Sequence, residues 1–181
     1  MKKESVSSFK ETSEIRLTLD DYNDIFSDFD PRPYSEKGLS EDFLEEAKRA
    51  TISKYSDKVN FIMALPQEKR NLKNESIIKL RLKEYFQNRY ILAKKEKRSV
   101  LKKGLSFCSV GTILMMIVTY LYFKFKDINL LTSFFIILLE PASWFLFWEG
   151  LDLVIFESKE INPNLKFYGR MIKADLKFIS A

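Results

Sequence analysis

The stretch "FFIILLEPASWFLFWEG", Phe134 to Gly150, is apolar at nearly every position, yet Glu140 and Pro141 stand side by side in its middle. How this stretch is read decides the fold. It belongs to an apolar run over 128–148. As a helix rising about 1.5 Å per residue, such a run reaches roughly 30 Å, the thickness of a bilayer's hydrocarbon core. Just upstream, "GLSFCSVGTILMMIVTYLYF", Gly104 to Phe123, contains no charged residue and has the same reach. Only "KFKDI" separates the two runs, so they are expected to form a tight antiparallel transmembrane hairpin. Trp144 and Trp148 at one end, and Tyr120 and Tyr122 at the other, suit the aromatic belts of the two membrane interfaces.

The charges outside the hairpin orient it. "RYILAKKEKRSVLKK", Arg89 to Lys103, is strongly basic, whereas the loop between the spans has only Lys124 and Lys126. By the positive-inside tendency the basic flank is cytoplasmic and the loop lies outside. Two spans then return the chain to the cytoplasm. The expected location is the inner cell membrane, with both tails on the cytoplasmic side. Lys94, Lys95, Lys97, Arg98, Lys102 and Lys103 also lie close enough to the first span to meet anionic headgroups, at about 1 kcal/mol per basic residue. Setting topology alone would explain the same residues. The start, "MKKESVSSFKETSE", is basic but has no apolar stretch behind it and is not read as a signal peptide.

Composition narrows the chemistry. The chain has 181 residues, a net charge of +5, no His and a single Cys. Without His there is no Ser-His-Asp or Cys-His pair, no imidazole base and no His-ligated metal. The lone Cys108 excludes an internal disulfide and a multi-Cys metal site, and its apolar surroundings mark it as a packing residue. No cofactor or metal is called for, and no nucleic-acid partner is inferred from the positive charge, which is concentrated beside a span.

Glu140 falls a little past the middle of the second span. An ionised carboxylate there costs about 2.5–3.5 kcal/mol, so the residue should face protein or water, or be protonated. Pro141 removes the amide that would bond the Ile137 carbonyl, and a kink is expected there. Gly104, Cys108 and Thr112, at i, i+4 and i+8, form a stripe of small residues suited to close helix approach. Folding the hairpin brings Thr112 near the depth of Glu140. The expected partner of Glu140 is therefore Thr112, or the same position of a second protomer. A proton or cation site lined by an oligomer is the alternative, since two spans cannot enclose a pore alone.

The remainder reads as a small α/β domain. "SEIRLTL" alternates Ile15, Leu17 and Leu19 as a strand. "DDYNDIFSDF" places Tyr22, Ile25, Phe26 and Phe29 on one helical stripe, ended by "DPRPY". Ser40 caps the next helix, with Leu39 and Leu44 as its hydrophobic staple. "KVNFIMALP" alternates Val59, Phe61, Met63 and Leu65 as a central strand. From about Pro66 the chain is helical, with Ile78, Leu82, Tyr85 and Phe86 facing inward, and one helix is expected to run on into the first span. After the second span, Asn162 caps a helix with Pro163 at its first position and Leu165, Tyr168 and Ile172 on one face. "DLKFIS" is then a third strand, and parallel pairing of the first two strands follows from the helical connection. Asp20, Asp21, Asp24, Asp28 and Asp30 lack the central Gly and terminal Glu of a calcium loop and read as helix-start acids on a solvated face.

The expected organisation is a flexible N-terminus over 1–12, a cytoplasmic α/β domain over 13–93 and a basic juxtamembrane segment over 94–103. Spans over 104–123 and 128–148 follow, then a C-terminal helix and strand over 157–181. The stretches "IFSDFDPRPYSEKGLSEDFLEE", Ile25 to Glu46, and "WFLFWEGLDLVIFES", Trp144 to Ser158, resemble segments of small prokaryotic membrane proteins of uncharacterised function. In those an N-terminal cytoplasmic segment precedes a two-helix hairpin; the resemblance implies that topology and carries no activity. The expected role is a non-enzymatic anchor, interaction or sensory module, with the bilayer, a cytoplasmic protein or further copies of the chain as partners. An oligomeric pore or membrane-perturbing effector is the alternative, and a lipid-modifying enzyme the least supported.

Overall fold

The computed structural model describes residues 13–52, 59–124 and 129–181. The chain divides into two compact units, one made of Met1–Tyr90 with Lys166–Ala181 and the other of Ile91–Leu165. The expected segments over 1–12 and the loop centre at 125–128 lie outside the described residues.

The first unit holds a parallel sheet of β1 (Ser13–Thr18), β2 (Val59–Leu65) and β3 (Asp175–Ser180), in the order β1-β2-β3. The register aligns Ile15 with Phe61 and Leu176, and Leu17 with Met63 and Phe178. Because side chains alternate along a strand, these residues share one face, and it is the buried one. β3 joins the N-terminal part of the chain, as its sequence suggests, by pairing with β2.

Helix α1 (Glu41–Ile52) begins where expected: the Ser40 hydroxyl accepts from the Phe43 amide at 3.5 Å, while Leu39 is buried and Leu44 packs on the core. Helix α2 (Leu72–Lys124) follows a single 3-10 turn, Gln67–Lys69, rather than starting at Pro66. Asn71 starts it, its side-chain oxygen accepting from the amides of Lys73 and Asn74 at 3.0 and 3.3 Å. Ile78, Leu82 and Phe86 are fully buried in the core. From the C-terminal helix α5 (Asn162–Lys173), Phe167 and Met171 are the deepest residues, with Tyr168 and Ile172 only partly buried beside them.

Two expectations fail in this part of the chain. The stripe Tyr22-Ile25-Phe26-Phe29 does not form a helix: only one 3-10 turn, Tyr22–Ile25, is present, and Phe29 is 97% exposed. Asp21 and Asp24 close a capping box around that turn, and Phe26 then becomes extended and bridges antiparallel to Leu39. Asn162 does not act as a cap either. It is already helical, and its side-chain oxygen accepts from Lys97 Nζ at 2.6 Å.

The second unit pairs α2 beyond Ile91 with α3 (Leu130–Asp152), a π-helical segment Leu153–Glu157 and the short α4 (Ser158–Glu160). Asn129 caps α3, accepting from the Thr132 amide at 2.9 Å, and the helix continues unbroken past Pro141. By length and composition, two helices are long and apolar enough to cross a membrane: Leu72–Lys124 and the helical run Leu130–Lys173. Only 17% and 11% of their most apolar stretches are buried, unlike the core helix of a water-soluble protein.

Candidate functional site

The helix seam of the second unit is built from absent side chains. A Cβ on Gly104 would sit 2.8 Å from Val154 Cγ2 and 2.9 Å from the Gly150 carbonyl oxygen. One on Gly111 would sit 2.8 Å from the Phe147 nitrogen and from the Ser143 oxygen. One on Gly150 would meet the Cys108 nitrogen at 2.5 Å and its sulfur at 2.6 Å. The Cys108 thiol in turn donates to the Phe147 carbonyl at 3.7 Å. Val118 and Ile136 are also buried. Along α2 the seam runs Gly104, Cys108, Gly111 and then Val118, the heptad rhythm of a left-handed helix pair.

Gly104 and Cys108 of the expected stripe lie on this seam, and Gly111 rather than Thr112 is its next member. A helix turns about 100° per residue, so seven residues return within about 20° of the starting direction while eight overshoot by about 80°. Gly111 takes the seam. Thr112 sits half-buried, and its hydroxyl donates to the Cys108 carbonyl of its own helix at 2.8 Å.

No hydrogen bond joins Glu140 to Thr112. Glu140 is exposed, as is Pro141, and the Glu140 carboxylate has no hydrogen bond or ion pair among the described residues. Its backbone carbonyl accepts from the Ser143 hydroxyl at 2.7 Å. Ser143 is on the seam, three residues on; Glu140 is turned onto the flank of α3.

Most of the basic residues just before Gly104 have no side-chain partner among the described residues. Lys94, Lys95, Arg98, Lys102 and Lys103 are exposed, with Lys103 Nζ lying 5.6 Å over the Phe107 ring. Lys97 is held by Asn162. The helical run that returns along α2 carries Glu149 just before Gly150 and Asp152, Glu157 and Glu160 after it, toward the same end of the seam as Gly104.

The α/β unit has its own polar centre, at the C-terminal ends of the parallel strands, where such folds commonly place binding groups. Glu75, in the first turn of α2, is only 4% exposed. Arg70 grips it with two bonds, Nε to Oε1 at 2.8 Å and Nη2 to Oε2 at 3.1 Å. Arg70 also donates to the Ser180 hydroxyl and the Phe178 carbonyl, both at 3.3 Å. Tyr22 donates to Glu75 Oε1 at 3.3 Å and accepts from the Asn71 amide at 2.8 Å. Hydrogen bonding from Arg70 holds the Glu75 carboxyl below its usual range, while burial pushes the Tyr22 phenol up. The cluster ties the end of β3, the start of α2 and the turn after β1 together. Sequence reasoning missed it because its members are far apart in the chain and match no motif.

The aspartates act locally. Asp24 accepts from the amides of Asp20 and Asp21 at 2.7 and 3.0 Å, and Asp21 accepts from that of Asn23 at 3.3 Å. Asp30 takes a bidentate bond from Arg32, at 2.9 and 2.7 Å, and one from the Gly38 amide at 2.7 Å. Arg81 fastens the same loop through the carbonyls of Lys37 and Glu36. Among the described residues no group of His, Cys, Asp and Glu is gathered to hold a metal ion. Compared with known protein families, curated proteins and solved structures, the chain matches none, and the resemblance of residues 25–46 and 144–158 stands on those residues alone.

Proposed function

We propose that this chain is an integral protein of the inner cell membrane, anchored by a two-helix hairpin, whose α/β unit works at the cytoplasmic face as a non-enzymatic interaction or sensory module. One observation carries the reading. The hairpin has its small residues, Gly104, Gly111, Ser143 and Gly150, inside, and large apolar residues such as Ile113, Met116, Ile137, Leu138 and Phe145 outside. In water that outer surface would be a large aggregation-prone patch. In lipid it costs nothing, and small residues at the seam let dispersion contacts hold the helices together. The positive-inside tendency places the Lys94–Lys103 end in the cytoplasm and the loop near Asn129 outside.

The second reading, an oligomeric pore or membrane-perturbing effector, is favoured by the exposed Glu140. A lipid-modifying enzyme has the least support: Tyr22, Arg70 and Glu75 are occupied with one another. Alkaline carbonate treatment of membranes containing the full chain tests the first reading. The chain should stay with the membrane pellet; release into the supernatant would refute it.

A further inference from the structure

We infer that the flank of α3 bearing Glu140 is a contact with a second copy of this chain, in which the two Glu140 carboxyls hydrogen-bond to each other across a two-fold axis normal to the membrane. The inference rests on the hairpin being embedded in lipid.

Three observations lead to it. First, Glu140 has no partner in its own chain. It is exposed, Thr112 is bonded to the Cys108 carbonyl, and neither Gly104–Phe123 nor Leu130–Trp148 contains a Lys or Arg to neutralise it. Lipid tails offer no donor or acceptor, so an unpaired carboxylate at this depth is unfavourable.

Second, a carboxyl is self-complementary once one proton is present: the protonated member donates and its counterpart accepts. In a two-fold contact the residues beside the axis meet their own counterparts, and an axis along the membrane normal that passes beside Glu140 keeps the two carboxyls at equal depth. No other side chain need be recruited.

Third, the neighbours of Glu140 on that flank suit a packed interface. Ile137, Trp144 and Trp148 lie three residues before, four after and eight after it, which puts them along one side of the helix. All three are exposed, at 70%, 57% and 55%, and the two indole rings lie 5.9 Å apart.

Disulfide crosslinking in membranes, in a full-length Cys108→Ser background, tests this. Ile137→Cys lies on the Glu140 flank, and Leu138→Cys, one residue on, is turned about 100° away. Crosslinked dimer should form at position 137 at least tenfold more than at 138. Adding Glu140→Leu should lower the crosslink at 137 about tenfold. Adding Glu140→Gln should leave it within about twofold, because an amide also donates and accepts. Carbonate extraction of each sample separates the two levels of the account. Chain that stays in the membrane but crosslinks equally at 137 and 138, or is unaffected by Glu140→Leu, overturns the contact alone. Chain that is released overturns both the contact and the membrane reading beneath it.

Discussion

Gly111 stands directly against the backbone of Phe147: a Cβ at position 111 would lie 2.8 Å from the Phe147 nitrogen and 3.1 Å from its Cα. Backbone cannot turn aside as a side chain can, so any larger residue must push the helices apart. Gly111→Val should destabilise the hairpin by about 1–3 kcal/mol, and Gly111→Ala by less. Thr112→Val, one residue off the seam, should stay within about 0.5 kcal/mol. Equilibrium unfolding of the full chain in detergent measures all three, and an equal loss at 111 and 112 would contradict the seam.

The ion pair of Arg70 and Glu75 makes an acid-dependent prediction. Arg70→Ala leaves a buried carboxylate without its partner and should cost about 2–3 kcal/mol at neutral pH. Because Arg70 holds the Glu75 carboxyl below its ordinary value of 4.5, the pair's stabilisation is present above that pH. It is lost as pH falls below 4.5, through the depressed folded-state value. Glu75→Gln should be less stable than the parent at pH 7 and lose less on acidification. Melting temperatures of the two chains across pH 7 to 3 show whether the slopes differ.

The loop around Phe29 separates scaffold from surface. Asp30 binds Arg32 and the Gly38 amide, whereas Phe29 touches almost nothing. Asp30→Ala should speed limited proteolysis between Phe26 and Leu39. Phe29→Ser should change stability by no more than about 0.5 kcal/mol. A large loss from Phe29→Ser would mean that this side chain is buried after all.

Much of this architecture is legible in the sequence, for reasons that differ by element. β1, β2 and β3 show because alternation at Ile15-Leu17, Phe61-Met63 and Leu176-Phe178 is a local signal, and α1 because Ser40 and the Leu39–Leu44 pair mark its start. The segment near Phe29 misleads because a stripe of apolar residues cannot reveal that Asp21 and Asp24 complete a capping box after one turn. Gly104, Cys108 and Gly111 line the seam where the sequence pattern offers Thr112 equally, since intervals of four and of three both fit a helical stripe and only the drift of the helix decides between them. The cluster of Tyr22, Arg70, Glu75 and Ser180 is illegible because it exists only after parallel strands bring distant ends of the chain together. The π-helical segment at Leu153–Glu157 has no marker in its own residues.

The central claim is that the hairpin crosses the membrane and returns. Its most direct test is labelling of intact cells with a membrane-impermeant maleimide, using single cysteines at Asn129 and Ala181 in the Cys108→Ser background. Asn129→Cys should react in intact cells, and Ala181→Cys only after lysis. An Asn129→Cys chain that stays unlabelled until lysis, or an Ala181→Cys chain labelled from outside, would contradict the account.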